Sequence, residues 1–238
     1  MAEPEAGGKP STIEFYGGYQ VYSESGIDLT LLRANLARSL EERWENNRRA
    51  AVFARALQDA GRPGRPAVDS RRGPMIEALE VTQLLVSGHV EFVVVGGFAM
   101  RAQGSAHVTE DIDYCYKRTP ENIARLVTAL EPIHPYMRGA PPGLPFRLDA
   151  ATIQAGLNFT LTTDLGDVDL LGEVSGIGDF DRVLAQAEEK AMFGLTVRVL
   201  SIEGLIAAKR AAGRLKDRNH LLELEELRKL RDAGPQGA

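Results

Sequence analysis

With 238 residues, 44% of them hydrophobic, the chain can bury a sizeable core as one large domain or as one medium domain with an appendage. Its net charge of −5 argues against a surface uniformly dressed for nucleic acid. A single cysteine, Cys115, excludes an intramolecular disulfide and any cysteine-rich zinc site, and no apolar run approaches the length of a membrane span.

The opening residues from Met1 to Pro10 carry no basic stretch leading into an apolar one, so a soluble cytoplasmic protein without a leader is expected. Residues 1–60 read as a polar arm followed by a helical extension. Asp28 can cap a short helix bearing Leu29, Leu32 and Leu36, and Ser39 with Glu42 forms a capping box for a longer helix ending near Asp59. Trp44, Ala51, Ala54 and Leu57 recur on that second helix with approximate helical spacing and need a surface to cover. Residues 33–72 carry ten arginines against five acids, a local excess of +5 that reads either as a solvated helix face or as a contact for a polyanion such as tRNA. Residues 61–74, rich in Gly, Pro and Arg, read as a linker.

Residues 75–232 change pattern to alternating helices and strands, which indicates a mixed α/β or α+β domain, and 233–238 make a tail. A helix from Met75 to Ser87 leads into the buried strand Phe92-Val-Val-Val, then Gly96-Gly97 and a short helix to Gln103. Asp111-Ile-Asp-Tyr-Cys-Tyr is the next strand, and Thr119-Pro120 caps a helix with proline at its first position. After a Pro-rich passage, Asp149 caps one or two further turns, and Leu157 to Thr162 with Asp167 to Leu171 form a hairpin about Asp164-Leu-Gly. A helix from Phe180 to Gln186, a strand at Thr196-Val-Arg-Val and helices beginning near Ser201 and Lys216 complete the chain.

Chemistry concentrates at three places. A glycine pair between a buried strand and a helix lets the backbone approach a ligand, and the helix start offers N–H groups to phosphate. Asp111-x-Asp113 and Asp167-x-Asp169 interrupt apolar strands with a residue that strands disfavour, and side chains two apart on a strand share one face, roughly 6 to 7 Å apart. Such carboxylates are ligands for hard divalent cations. Of the second pair, Asp169 lies deeper in the apolar run, while Asp167 stands beside Gly166 and the turn.

In this order, a Gly-Gly, a helix, Asp-x-Asp on a strand and an apolar-flanked Asp on a later strand resemble the nucleotidyltransferase superfamily that shares the DNA polymerase beta palm fold. More narrowly, Phe92-Val-Val-Val-Gly-Gly-Phe-Ala-Met, Thr109-Glu-Asp-Ile-Asp and Lys209-Arg-Ala-Ala-Gly-Arg-Leu-Lys-Asp217 resemble bacterial nucleotidyltransferases of the abortive-infection, type IV toxin–antitoxin kind. The resemblance covers roughly residues 75 to 230. It implies an α+β fold, a core sheet flanked by helices with a helical C-terminal segment.

The resemblance further implies Mg²⁺, or Mn²⁺ in its place, held by Asp111, Asp113 and Asp169, an NTP as donor, and transfer of a nucleoside monophosphate to a hydroxyl of tRNA, a protein or a small molecule. Gly96 and Gly97 would contact phosphate through backbone N–H groups, and Lys209 and Lys216 would neutralise its charge. Many relatives carry Gly-Ser where this chain has Gly96-Gly97, so Ser105 or Thr109 would have to supply the hydroxyl. Close relatives place arginine near the position of His107. A toxin or antitoxin protein partner follows from the same kinship. Two other readings stay open, a binding module that keeps the fold without turnover and a metal-dependent nuclease.

Overall fold

The computed structural model describes residues 15–16, 19–60, 74–141, 143–215 and 217–234. The chain order is β1 (Phe15–Tyr16), β2 (Tyr19–Gln20), α1 (Leu29–Leu36), α2 (Leu40–Ala60), α3 (Pro74–Ser87), β3 (Phe92–Val95), α4 (Gly96–Gln103), β4 (Asp111–Tyr116), α5 (Pro120–Leu130) and β5 (Tyr136–Met137). It continues with α6 (Ala150–Ala155), β6 (Asn158–Thr163), β7 (Gly166–Leu171), β8 (Glu173–Val174), β9 (Gly178–Asp179), α7 (Phe180–Leu184), β10 (Ala187–Met192), β11 (Leu195–Leu200), α8 (Ile202–Ala212) and α9 (Asp217–Asp232). Except for Pro74, the expected linker at 61–74 lies outside the described residues, as do Lys216 and the last four residues of the tail.

Local chemistry sets the helix starts. Asp28 accepts from the N–H groups of Thr30 and Leu31, and Ser39 and Glu42 satisfy each other's backbone N–H at 3.2 and 2.8 Å. Thr119, Asp149 and Ser201 cap α5, α6 and α8 through their side chains. Helix α4 begins differently, because its cap position is Val95 and no side chain serves it.

Seven strands form the central sheet in the order β10-β11-β3-β4-β7-β6-β5. The β11/β3 and β4/β7 pairs are parallel and the rest antiparallel, so the α+β expectation of a core sheet flanked by helices holds. Fully or nearly fully buried Val94, Ile112, Tyr114, Leu161, Val168 and Leu170 build one apolar face, while Val93 and Val95, paired with Cys115 and Asp113, are buried on the other. Strand β6 alternates exposed and buried residues along its whole length, which orients the neighbouring strands as well. Buried Phe159 and Leu161 pair with Leu170 and Val168, and Thr160 and Thr162 pair with Asp169 and Asp167 on the opposite face.

Two features differ from the expectation. Strand β10, Ala-Glu-Glu-Lys-Ala-Met, is composed of helix formers, yet it pairs with β11 residue by residue from Ala187↔Leu200 to Met192↔Leu195. As the sheet's outer strand it carries three charged residues, with Lys190 bonded to Glu188 at 2.8 Å, a composition that protects an edge. The short strand β5, inside the Pro-rich passage, extends the opposite edge.

The N-terminal helices join the same core. Trp44, 3% exposed, lies with its ring 4.4 Å from Phe98, and Leu29 and Leu32 are buried in the same cluster. Five arginines of the basic segment have described side chains, and all five have internal partners. Arg43 donates to the carbonyls of Asn35, Leu36 and Ala102, Arg48 and Arg49 grip Glu45, Arg38 donates to Asn35, and Arg33 donates to Gln20 O.

Candidate active site

Parallel pairing of β4 with β7 places Asp111 opposite Asp167 and Asp113 opposite Asp169. Four carboxylates thus stand on two adjacent strands and one face. The face is crowded from above by the start of α4. Gly96 has φ +62°, and a Cβ there would overlap the Asp113 carboxylate. Here glycine is required twice over, by backbone conformation and by space. The Gly97 N–H donates to Asp113, so this backbone donor is already engaged.

Burial pushes the Asp113 carboxyl up to about 7, reinforced by Asp111 and Asp169 and opposed by Lys209 and the Gly97 N–H. Asp169 also rises, again chiefly from burial, with Arg138 pulling against it and Asp111 pushing with it. Asp169 is the more enclosed of its strand's two acids, at 16% side-chain exposure against 40% for Asp167. Asp167 faces the hairpin, where Thr162 Oγ1 donates to it at 2.9 Å.

The two candidate hydroxyls have different surroundings. Thr109 Oγ1 donates to Asp111 Oδ1 at 2.8 Å and is the atom that a Cβ on Gly97 would meet at 2.5 Å. Thr109 therefore fills the volume that a serine at 97 would need. Ser105 is fully buried, accepts from His107 N–H at 3.0 Å and bonds the Glu223 carboxylate, so the expectation that it replaces the missing serine meets a hydroxyl already committed inside the fold.

Lys209 lies on α8 near the acids, close enough to act on both Asp113 and His107. Its Nζ is 3.0 Å from Oδ1 of Asp217, which is 1% exposed and also receives Arg214 Nε at 3.0 Å. Burial alone would raise the Asp217 carboxyl, and these hydrogen bonds hold it below its ordinary value. His107 packs at a tilt against His220 with ring centroids 4.2 Å apart, and burial with neighbouring positive charge lowers it to about 4. Neutral histidine at this place is a packing element rather than a fixed charge.

Three residues in the site escape a reading of the sequence. Arg138, just after β5, sends Nη2 to Asp169 Oδ1 at 2.6 Å and Nε to within 3.1 Å of Asp167 Oδ2. Asn47 of α2 donates to Thr109 O at 3.3 Å, and Arg101 of α4 donates to His107 O at 2.7 Å and Arg43 O at 2.8 Å, which ties the loop before β4 to the N-terminal helices. Nothing in the composition around these three marks them, because their role comes from contacts 31 to 62 residues away in the chain for Arg138 and Asn47. Among the described residues, no three His, Cys, Asp or Glu side chains stand together as a ready metal cage.

No family model matches the chain, and no curated protein matches it in sequence. Among solved structures it is similar to a lincomycin-bound lincosamide antibiotic adenylyltransferase, LnuA, with a TM-score of 0.44 and 12% identity over 63% of this chain and 96% of that one. A likeness of this size bears on no residue or activity.

Proposed function

We propose that the chain is a nucleotidyltransferase that binds an NTP and transfers its nucleoside monophosphate to a hydroxyl acceptor. The observation that carries this reading is the β4/β7 pairing, with Asp113 opposite Asp169 and Asp113 under the glycine-led start of α4. A cluster of hard oxygen donors in which burial and neighbouring carboxylates raise Asp113 and Asp169 is short of positive charge, and a divalent cation such as Mg²⁺ or Mn²⁺ suits that deficit. Asp111, Asp113 and Asp169 would hold it. When bound, the cation supplies charge neutralisation at the phosphates and eases deprotonation of the acceptor hydroxyl.

The chain's own groups account for the rest. Thr109 fixes one oxygen of Asp111, leaving the other to a ligand. Lys209, held by the buried Asp217, presents a positioned ammonium to phosphate without shifting away. In the reaction the acceptor oxygen bonds to the α phosphorus, the bond from that phosphorus to the β-bridging oxygen breaks, and pyrophosphate leaves with that electron pair. The acceptor's proton goes to solvent.

One observation favours a second reading, a nucleotide-binding module without turnover. The Gly97 N–H is engaged by Asp113, and one oxygen of Asp169 by Arg138, so groups that turnover would use are already committed inside the fold. Incubation with α-labelled NTPs, Mg²⁺ and a panel of RNA, protein and small-molecule acceptors separates the two. Transfer of label that is lost in Asp111→Asn with Asp113→Asn supports the enzyme. Nucleotide binding with no transfer to any acceptor class supports the module.

A further inference from the structure

Arg138 reaches from the edge of the sheet across β6 to the acids of β7. Its backbone N–H pairs with Thr160 O at 3.0 Å, so the residue is anchored in register beside β6. Its guanidinium then spans both acids of the Asp167-x-Asp169 pair, while Nη2 also donates to Leu161 O at 3.2 Å. The pose is not fully satisfied. Nε is buried and, although 3.1 Å from Asp167, makes no well-aligned hydrogen bond among the described residues.

This contact bears directly on the cation site. Asp169 is one of three carboxylates that would ligate a divalent ion, and one of its two oxygens is committed to Arg138 at 2.6 Å. A guanidinium and a divalent cation carry the same sign and seek the same lone pairs, so full occupancy by one weakens the other.

We propose that Arg138 is the resident counter-ion of Asp169, and that divalent cation binding requires this ion pair to open. The inference rests on the assignment of Asp111, Asp113 and Asp169 as cation ligands. In this arrangement Arg138 offsets the charge of Asp167 and Asp169 while the cation is away and sets the affinity with which the cation enters. It is a positioning residue for Asp169, since it acts through that carboxylate.

The test is a calorimetric titration of Mn²⁺ alone into the full-length protein, without nucleotide, for wild type, Arg138→Gln, Arg138→Lys and the Asp111→Asn/Asp113→Asn double variant. Arg138→Gln should bind Mn²⁺ about ten-fold tighter, the scale of losing one partly buried ion pair, and Arg138→Lys should fall between. Equal or weaker binding by Arg138→Gln overturns the proposal. Because a variant could misfold, a second readout uses wild type. Saturating Mg²⁺ should shift the Arg138 Nε–Hε NMR resonance, assigned by its disappearance in Arg138→Lys, and an unmoved resonance overturns the proposal equally.

Failure of the underlying assignment looks different. If Mn²⁺ binding survives unchanged in the Asp111→Asn/Asp113→Asn variant, the ligand assignment falls and the proposal with it. If binding is lost there but is indifferent to Arg138, only the role of Arg138 falls.

Discussion

Gly97 and Thr109 compete for one volume, since a Cβ on Gly97 would stand 2.5 Å from Thr109 Oγ1 and 2.8 Å from Thr109 Cβ. The threonine hydroxyl that excludes a side chain at 97 is the same one that holds Asp111. Gly97→Ser should therefore destabilise the protein by about 1–3 kcal/mol, the usual cost of overpacking a tight site. Thr109→Gly should relieve much of that cost, so urea denaturation of the two single variants and the double variant should give a coupling above about 1 kcal/mol. Strict additivity would mean that the two positions do not share space.

Truncation of Trp44 should act on the whole core. Its ring packs on Phe98, two positions into the helix that starts at the site, and it is nearly fully buried. Trp44→Ala should cost about 3–5 kcal/mol by thermal or chemical denaturation. A loss under about 1 kcal/mol would show the N-terminal helices to be an appendage rather than part of the core.

His107 gives the acid limb of stability. Its ordinary value of 6.5 is lowered to about 4 in the fold, so the unfolded chain takes up a proton first as pH falls. The neutral form is favoured by folding, and that contribution is complete above pH 6.5 and lost between 6.5 and 4. His107→Phe, which keeps a ring against His220, should flatten the stability profile in that window by on the order of 2 kcal/mol. An unchanged slope between wild type and variant would show that His107 titrates normally.

Asp113 works in the opposite direction. Its carboxyl is raised from 3.8 to about 7, so folding favours the protonated form and stability falls as pH rises through that interval. In chelator, Asp113→Asn should leave stability nearly unchanged at pH 4 and raise it at pH 8 by on the order of 2 kcal/mol, read by urea denaturation. No gain at pH 8 would mean that the carboxylate is better compensated than its surroundings indicate.

Much of the fold was legible because local chemistry and tertiary packing agree. The capping residues Asp28, Ser39, Thr119, Asp149 and Ser201 each start the helix that the sequence leads one to expect. The hairpin about Asp164 and the strand Asp111–Tyr116 also stand where their patterns put them. Strand β10 was not legible, because its pairing with β11 overrides the helical preference of Ala-Glu-Glu-Lys-Ala-Met. At the site, the spacing of Asp111, Asp113 and Asp169 was readable as one face of two strands, but their parallel register was not. Arg138 was invisible for the same reason, since it meets Asp169 only after three strands have aligned.

The central claim is that Asp111 and Asp113 belong to a cation-dependent nucleotide site, and calorimetric titration of a non-hydrolysable NTP tests it most directly. Wild type should bind the nucleotide in the presence of Mg²⁺ and lose at least about ten-fold in affinity in chelator, whereas Asp111→Asn with Asp113→Asn should bind weakly under both conditions. Absence of binding by wild type to any of the four NTP types, or equal binding by the double variant, would contradict it.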